Sequence, residues 1–266
     1  MKAFFDRYNI TTTIEPGSSR YPDRMLKKYF AMNIAPEDSN KNNTVYIINF
    51  FSAWFARLVG KTCGGEYDIT CLDPDFRKQM EEYAEAVMGN KRMLGVLLRG
   101  SDFFISDMVA LAKPVDAKVA IPYIEKWLRE DGYDGIVLAT EDEDMLEEMR
   151  KVFGSKLIAI AQERYRVRQF ETAETIAELE HELMDEEAYD IHVEDTTVNY
   201  FYALYLLSRC ESFIYSNICG GERLTHIFNN GRFRKELCIA QMFINSENNR
   251  IMSSEQQKIQ KANNKE

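Results

Sequence analysis

Histidine is scarce in this chain: His181, His192 and His226 are the only three in 266 residues. None has metal-ligand spacing to another or to a cysteine pair, so a zinc site has no sequence support. The five cysteines, Cys63, Cys71, Cys210, Cys219 and Cys238, are odd in number and form no CxxC. They read as reduced core thiols of a cytoplasmic protein, not as a disulfide framework. Long apolar runs are missing too. The longest block, residues 45–59, is interrupted by Asn49, Ser52 and Arg57, too short and too polar for a transmembrane segment. At the start, Asp6 and Arg7 return charge before any apolar core has formed, which is not how a secretory signal reads. Positive charge is in deficit. With 33 Lys and Arg against 43 Asp and Glu, the net charge of −10 argues against nucleic acid and against an anionic membrane surface. There is no GxGxxG after a strand, no Walker sequence and no nucleophile elbow.

What remains is ample material for a core, 45% hydrophobic and 12% aromatic residues. Three regions separate by pattern. Residues 1–90 form a short, mainly helical N-terminal region, turn-rich at first and ending in a helix from Asp73 with Phe76, Met80, Tyr83, Ala84 and Val87 on one stripe. Residues 91–245 alternate strand and helix signals, the pattern of an α/β Rossmann-like domain with a parallel sheet. Residues 246–266 are a polar tail.

Within the middle region the predicted strands are residues 94–98, 133–139, 156–160, 212–216 and 236–240. Between them fall helices over 119–130, from 140 to the closing Gly154, around Ile176, Leu179 and Leu183, over 198–209, and after the Cys219-Gly220-Gly221 turn. Pro122 is permissible if it lies in the first turn of its helix.

The run MLGVLLRGSD (residues 93–102) carries the most chemistry. Its apolar part reads as a strand buried on both faces, and it ends at once in Arg99. In open α/β sheets, ligands sit beyond the carboxyl ends of the strands. A guanidinium there matches a phosphate with paired donors, and Gly100 would let a ligand approach the backbone. An arginine paired with Asp102 to order a turn is the other reading, and both stay open on these residues alone.

Four motifs occur in order: GVLLRGSD (95–102), VLATED (137–142), YLLSRC (205–210) and FIYSNICG (213–220). This succession resembles the GT-B fucosyltransferases, the α-1,6- and protein O-fucosyltransferase-like group that includes nodulation-type enzymes. The resemblance covers about residues 91–245, the half that binds the nucleotide sugar. It implies a metal-independent glycosyltransferase with no cofactor. The donor would be a nucleoside-diphosphate sugar such as GDP-fucose, and the acceptor a glycan or another hydroxyl. By the same resemblance Arg99 binds the donor diphosphate and stabilises the leaving group. Ser101 and Asp102 are the polar pair after it, and Asp107 falls where the α-1,6 enzymes place a proposed base. Glu141 and Asp142 belong to the acidic motif, although Thr140 with Glu143 also spells a helix capping box. Ser216, Cys219, Gly220 and Gly221 would complete the donor site at a strand-to-helix turn, where backbone N–H groups can meet a phosphate. Asp107 also reads as an ordinary loop carboxylate, and the glycines as a tight turn.

Two departures matter. Leu97 and Ala203 stand where these enzymes often carry a histidine and an aspartate that read guanine. Tyr200, Tyr202 and Tyr205 could stack on a base, or simply fill the core. The region before residue 91 is short for a second Rossmann-like half and reads as acceptor-side or truncated. These departures keep a second reading open, a non-catalytic binding or assembly module built on the same fold.

Overall fold

The computed structural model describes residues 11–14, 33–34, 44–46, 74–101, 104, 115–173 and 175–243. Most of the N-terminal region, the polar tail, Asp102 and Asp107 lie outside them.

The N-terminal residues that are described include three short parallel strands in the order β2-β1-β3: β1 (Thr11–Ile14), β2 (Asn33–Ile34) and β3 (Thr44–Tyr46). Turn-rich composition concealed them. Helix α1 (Pro74–Met88) follows, with Phe76, Met80 and Ala84 of the expected stripe buried together with Met88, whereas Val87 is half-buried and Tyr83 is exposed.

The larger sheet has five strands, all parallel: β4 (Met93–Leu97), β5 (Gly135–Ala139), β6 (Leu157–Ala159), β7 (Ser212–Tyr215) and β8 (Glu236–Cys238). Their spatial order is β6-β5-β4-β7-β8. The chain therefore builds outward from β4 in one direction, then returns to the other side of β4 to lay down β7 and β8. That reversal is a topological switch point, and it lies between β4 and β7. In register, Leu94 pairs with Ser212 and Leu97 with Tyr215, so the two strands end side by side.

Every residue of β4 and β5 is buried, as expected for central strands covered on both faces. Alternate side chains divide into two cores. Met93, Leu97 and Phe213 join Phe201, Leu204, Leu207 and Phe228 beneath α5 (Glu186–Ser208) and α6 (Gly220–Asn229). Leu94, Val96, Ile136, Leu138 and Ile214 meet Ile124, Leu146 and Met149 of α2 (Ala117–Asp131) and α3 (Glu143–Phe153) on the opposite face. Gly95 is the exception on β4. A Cβ there would stand 3.3 Å from the Leu207 carbonyl oxygen and the Cys210 Cβ, so glycine lets the end of α5 press onto the strand.

Helix boundaries follow the strongest local acceptor. Asp116 caps α2 by accepting from the Val119 N–H at 2.9 Å, which starts the helix two residues before the position that periodicity suggests. Pro122 consequently falls beyond the first turn, and α2 forgoes one backbone hydrogen bond. Gly154 closes α3 with φ of 50°, in agreement with its reading as a stop. A short α4 (Ile176–Leu183) carries a capping box of Thr175 and Glu178. Helix α5 is much longer than the predicted 198–209. Its first half is polar, and Asp185 starts it by capping the Ala188 N–H. No described helix is long and apolar enough to cross a membrane.

Candidate functional site

Arg99 lies two residues past the end of β4, after Leu98, and so stands at the carboxyl end of the central strand. Its backbone N–H donates to the Ser216 hydroxyl at 2.8 Å, and the Ser216 N–H donates to the Leu97 carbonyl at 2.9 Å. These two bonds tie the end of β4 to the end of β7 across the switch point. Ser216 is fully buried, so its contribution is to fix the Arg99 backbone.

The loop after β5 supplies the opposite wall. Glu141 uses both carboxylate oxygens on the Arg99 segment. Oε1 accepts from the Gly100 N–H at 2.8 Å, and Oε2 lies 3.3 Å from an Arg99 terminal nitrogen. The two side chains are 17% and 11% exposed, so the pair is shielded yet reachable from solvent.

Asp142 turns inward instead, at 2% exposure. Its Oδ1 accepts from the Met145 N–H and its Oδ2 from the Ser101 N–H, each at 2.9 Å. Asp142 is thus the cap of α3, a correction to the expected capping box on Thr140. Thr140 still ends the strand, and its hydroxyl accepts from the Asp142 N–H at 3.1 Å. The carboxylate wins because an ionised acceptor holds a helix N-terminus more strongly than a hydroxyl.

Gly100 packs against that same carboxylate. An added Cβ would lie 2.6 Å from Asp142 Oδ2 and 2.7 Å from its Cβ. The glycine therefore admits Asp142, where the sequence reading had it admitting a ligand. Ser101 has a φ of 41°, left-handed for a residue that carries a side chain. It is fully buried, with its hydroxyl 3.3 Å from both Asp142 Oδ2 and the Tyr165 carbonyl. These contacts hold the unusual conformation.

Tyr165 was not singled out from sequence, yet it orders this wall. Its N–H donates to the Glu141 carbonyl at 2.9 Å, and its carbonyl accepts from the Glu143 N–H at 3.0 Å. Its phenol donates to Glu180 at 3.0 Å and lies 3.2 Å from His192, which is 3.1 Å from the same carboxylate oxygen. Burial, then the Glu180 charge, pushes the Tyr165 phenol far above its ordinary range. Arg164 likewise directs its guanidinium to the carbonyls of Thr140, Ile160 and Gln162. Contacts spanning tens of residues leave no spacing signature.

Beyond β7 the chain passes Ser216, Asn217 and an exposed Ile218 before entering α6 at Cys219. The Cys219 sulfur caps the helix, accepting from the Glu222 N–H at 3.4 Å. Burial raises its thiol, with the Arg99 charge opposing, so the sulfur stays protonated near neutrality. Gly221 serves helix packing, since a Cβ there would meet the Tyr200 hydroxyl at 2.0 Å. Gly220 is half-buried at the start of α6. Asn217 is another residue that sequence did not mark. It is 1% exposed, and neither end of its amide has a hydrogen-bond partner among the described residues.

The positions expected to read a base are core residues. Leu97 is 1% and Ala203 2% exposed, and Tyr202 packs edge-on against Phe76 and Tyr83. Tyr205 lies against Phe228. The structure thus brings Arg99, Ser101, Glu141, Asp142, Ser216 and the Cys219–Gly221 turn to one end of the sheet. It distributes them between a shielded Arg99–Glu141 pair and a buried scaffold.

No family profile matches the sequence, and no curated protein matches it. Solved structures similar to the chain include NodZ α-1,6-fucosyltransferase soaked with GDP-fucose, at 16% identity and a TM-score of 0.37 over 73% of this chain and 54% of that one. Fucosyltransferase NodZ from Bradyrhizobium is similar at 14% identity and a TM-score of 0.39, over 72% and 53%. POFUT1 in complex with GDP is similar at 9% identity and a TM-score of 0.37, over 63% and 48%. The chain spans about half the length of these proteins.

Proposed function

We propose that the chain carries the donor half of a glycosyltransferase that uses a nucleoside-diphosphate sugar, with Arg99 as the diphosphate-binding residue. The observation that supports this best is the position of Arg99. It stands at the carboxyl end of the central strand, at the β4–β7 switch point, facing the loop that leads into α6. Crevices of this kind receive nucleotides in doubly wound sheets. The motif order read from sequence points to the same chemistry, with fucosyl transfer its leading version.

In such a transfer the bond between the anomeric carbon and the leaving phosphate oxygen breaks, and negative charge grows on the diphosphate. A permanently charged guanidinium beside that oxygen lowers the barrier by stabilising charge that is fully developed only late in the reaction. It supplies a counter-charge without a metal ion. The N–H groups at the start of α6 would add a partial positive end. The acceptor hydroxyl must lose its proton as it attacks the sugar, and Asp107 is proposed as the base. Asp102 is proposed to order the Arg99 loop.

The buried Leu97 and Ala203 favour a second reading, a module of this fold that binds a nucleotide without turnover. A panel of GDP, UDP, ADP, CDP and their sugars, followed by thermal unfolding, tests the proposal. Ligand at a hundred times its Kd should add about 2.7 kcal/mol of stability. No stabilisation by any member would refute the donor site. Binding without transfer to any hydroxyl acceptor would select the non-catalytic reading.

A further inference from the structure

We propose that Glu141 is an internal anion competing with the ligand for Arg99 and Gly100, so that it lowers the affinity of the site for a diphosphate and lets product leave. This rests on the donor-site reading of Arg99. The donor set that Glu141 occupies, one guanidinium arm and one backbone N–H at the end of a strand, is the set that a phosphate oxygen pair would use. Glu141 already fills it, with contacts of 2.8 Å to the Gly100 N–H and 3.3 Å to the Arg99 guanidinium.

The backbone beneath Glu141 is fixed on both sides. Its carbonyl is held by the Tyr165 N–H, and Asp142, the next residue, is pinned between Met145 and Ser101. Any displacement that binding requires thus falls on the Glu141 side chain and not on its backbone. A phosphate approaching Arg99 therefore meets a carboxylate at close range, in a half-shielded place where like charges repel more strongly than in water. The ligand must displace that side chain, and the side chain returns when the ligand goes. A residue that merely orients Arg99 would act in the opposite sense, since its loss would weaken binding.

The experiment compares inorganic pyrophosphate binding by wild type, Glu141→Gln and Glu141→Ala, by titration calorimetry on the full chain. Glu141→Gln keeps an acceptor for the Gly100 N–H and removes the charge, so pyrophosphate should bind about tenfold more tightly. Glu141→Ala should tighten it as well. In an Arg99→Ala background the Glu141→Gln gain should vanish. Unchanged or weaker binding by both Glu141 variants, with wild type still binding through Arg99, would overturn the competition and leave the donor site standing. Wild-type affinity in Arg99→Ala, or no pyrophosphate binding by any of the proteins, would remove the donor-site reading and this proposal with it.

Discussion

Arg99 and Glu141 form a pair whose partners are 42 residues apart in sequence, and the scaffold beneath them is equally non-local. Gly100, Ser101 and Asp142 make one packed unit: a glycine without room for a Cβ, a left-handed serine, and a carboxylate that serves two backbone N–H groups. Gly100→Ala must push the Asp142 carboxylate aside and should cost about 1–3 kcal/mol, as overpacking of a filled site does. Asp142→Ala should cost a similar amount, about 1–3 kcal/mol, because it removes the α3 cap and leaves the buried Ser101 N–H unsatisfied. Urea unfolding measures both, and a change under about 0.5 kcal/mol in either would contradict the packing described. The place of Arg99 just past the end of a buried strand was legible in sequence, because the apolar run stops there; its use was not, since an arginine that orders a turn reads the same way. The partners that set its geometry were not. Nothing in the spacing of Glu141 or Tyr165 announces that they meet residues 99–101.

At the scale of elements, the strands of the main sheet and most of its helices were legible because burial imposes its own periodicity, whereas β1–β3 were not. All five predicted strands of the main sheet are present, and Gly154 ends α3. The misplaced boundaries have a common cause: a cap outweighed the apolar pattern. Asp116 drew the start of α2 two residues earlier, which leaves Pro122 beyond the first turn, Asp142 displaced Thr140, and Asp185 extended α5 into polar sequence. Helix α6 shows what periodicity cannot convey. His226 bonds Glu222 at 2.9 Å on one side and Glu236 of β8 at 3.1 Å on the other. Burial acts against its charge, yet the hydrogen bonds that its ring N–H groups donate to the two carboxylates prevail, and its pKa is raised to about 9. The ordinary value lies near 6.5. The protonated form is thus the one that folding favours. Its contribution is fully present below about pH 6.5 and is lost as pH rises through about 9. A His226→Gln variant should be less stable by about 2 kcal/mol at pH 6. The deficit should shrink by pH 9.5, measured by urea unfolding at each pH. A deficit that is the same at both would show that the clamp is not charged.

At the scale of the whole molecule, the net charge of −10 means that any anionic ligand would have to be held by a local focus, and the one proposed is Arg99 with the start of α6. The purine base is a separate matter. Leu97 and Ala203 offer it no polar contact, so binding energy should come mainly from the diphosphate and ribose. GDP and ADP should then differ by less than about 1–2 kcal/mol. A hundredfold preference for GDP, about 2.7 kcal/mol, would mean that another group reads the base; the buried amide of Asn217 is the first place to look.

The central claim is that Arg99 holds the diphosphate, and calorimetric titration of GDP into wild type, Arg99→Ala and Arg99→Lys tests it most directly. The Arg99 side chain belongs to neither core, so Arg99→Ala and Arg99→Lys should both fold, with Arg99→Ala the less stable because it leaves the shielded Glu141 carboxylate unpaired. Arg99→Ala should lose about a hundredfold or more in affinity, and Arg99→Lys should recover only part of it, because an ammonium cannot make the paired donor contact. An Arg99→Ala protein that is folded and binds GDP as wild type does would contradict the account.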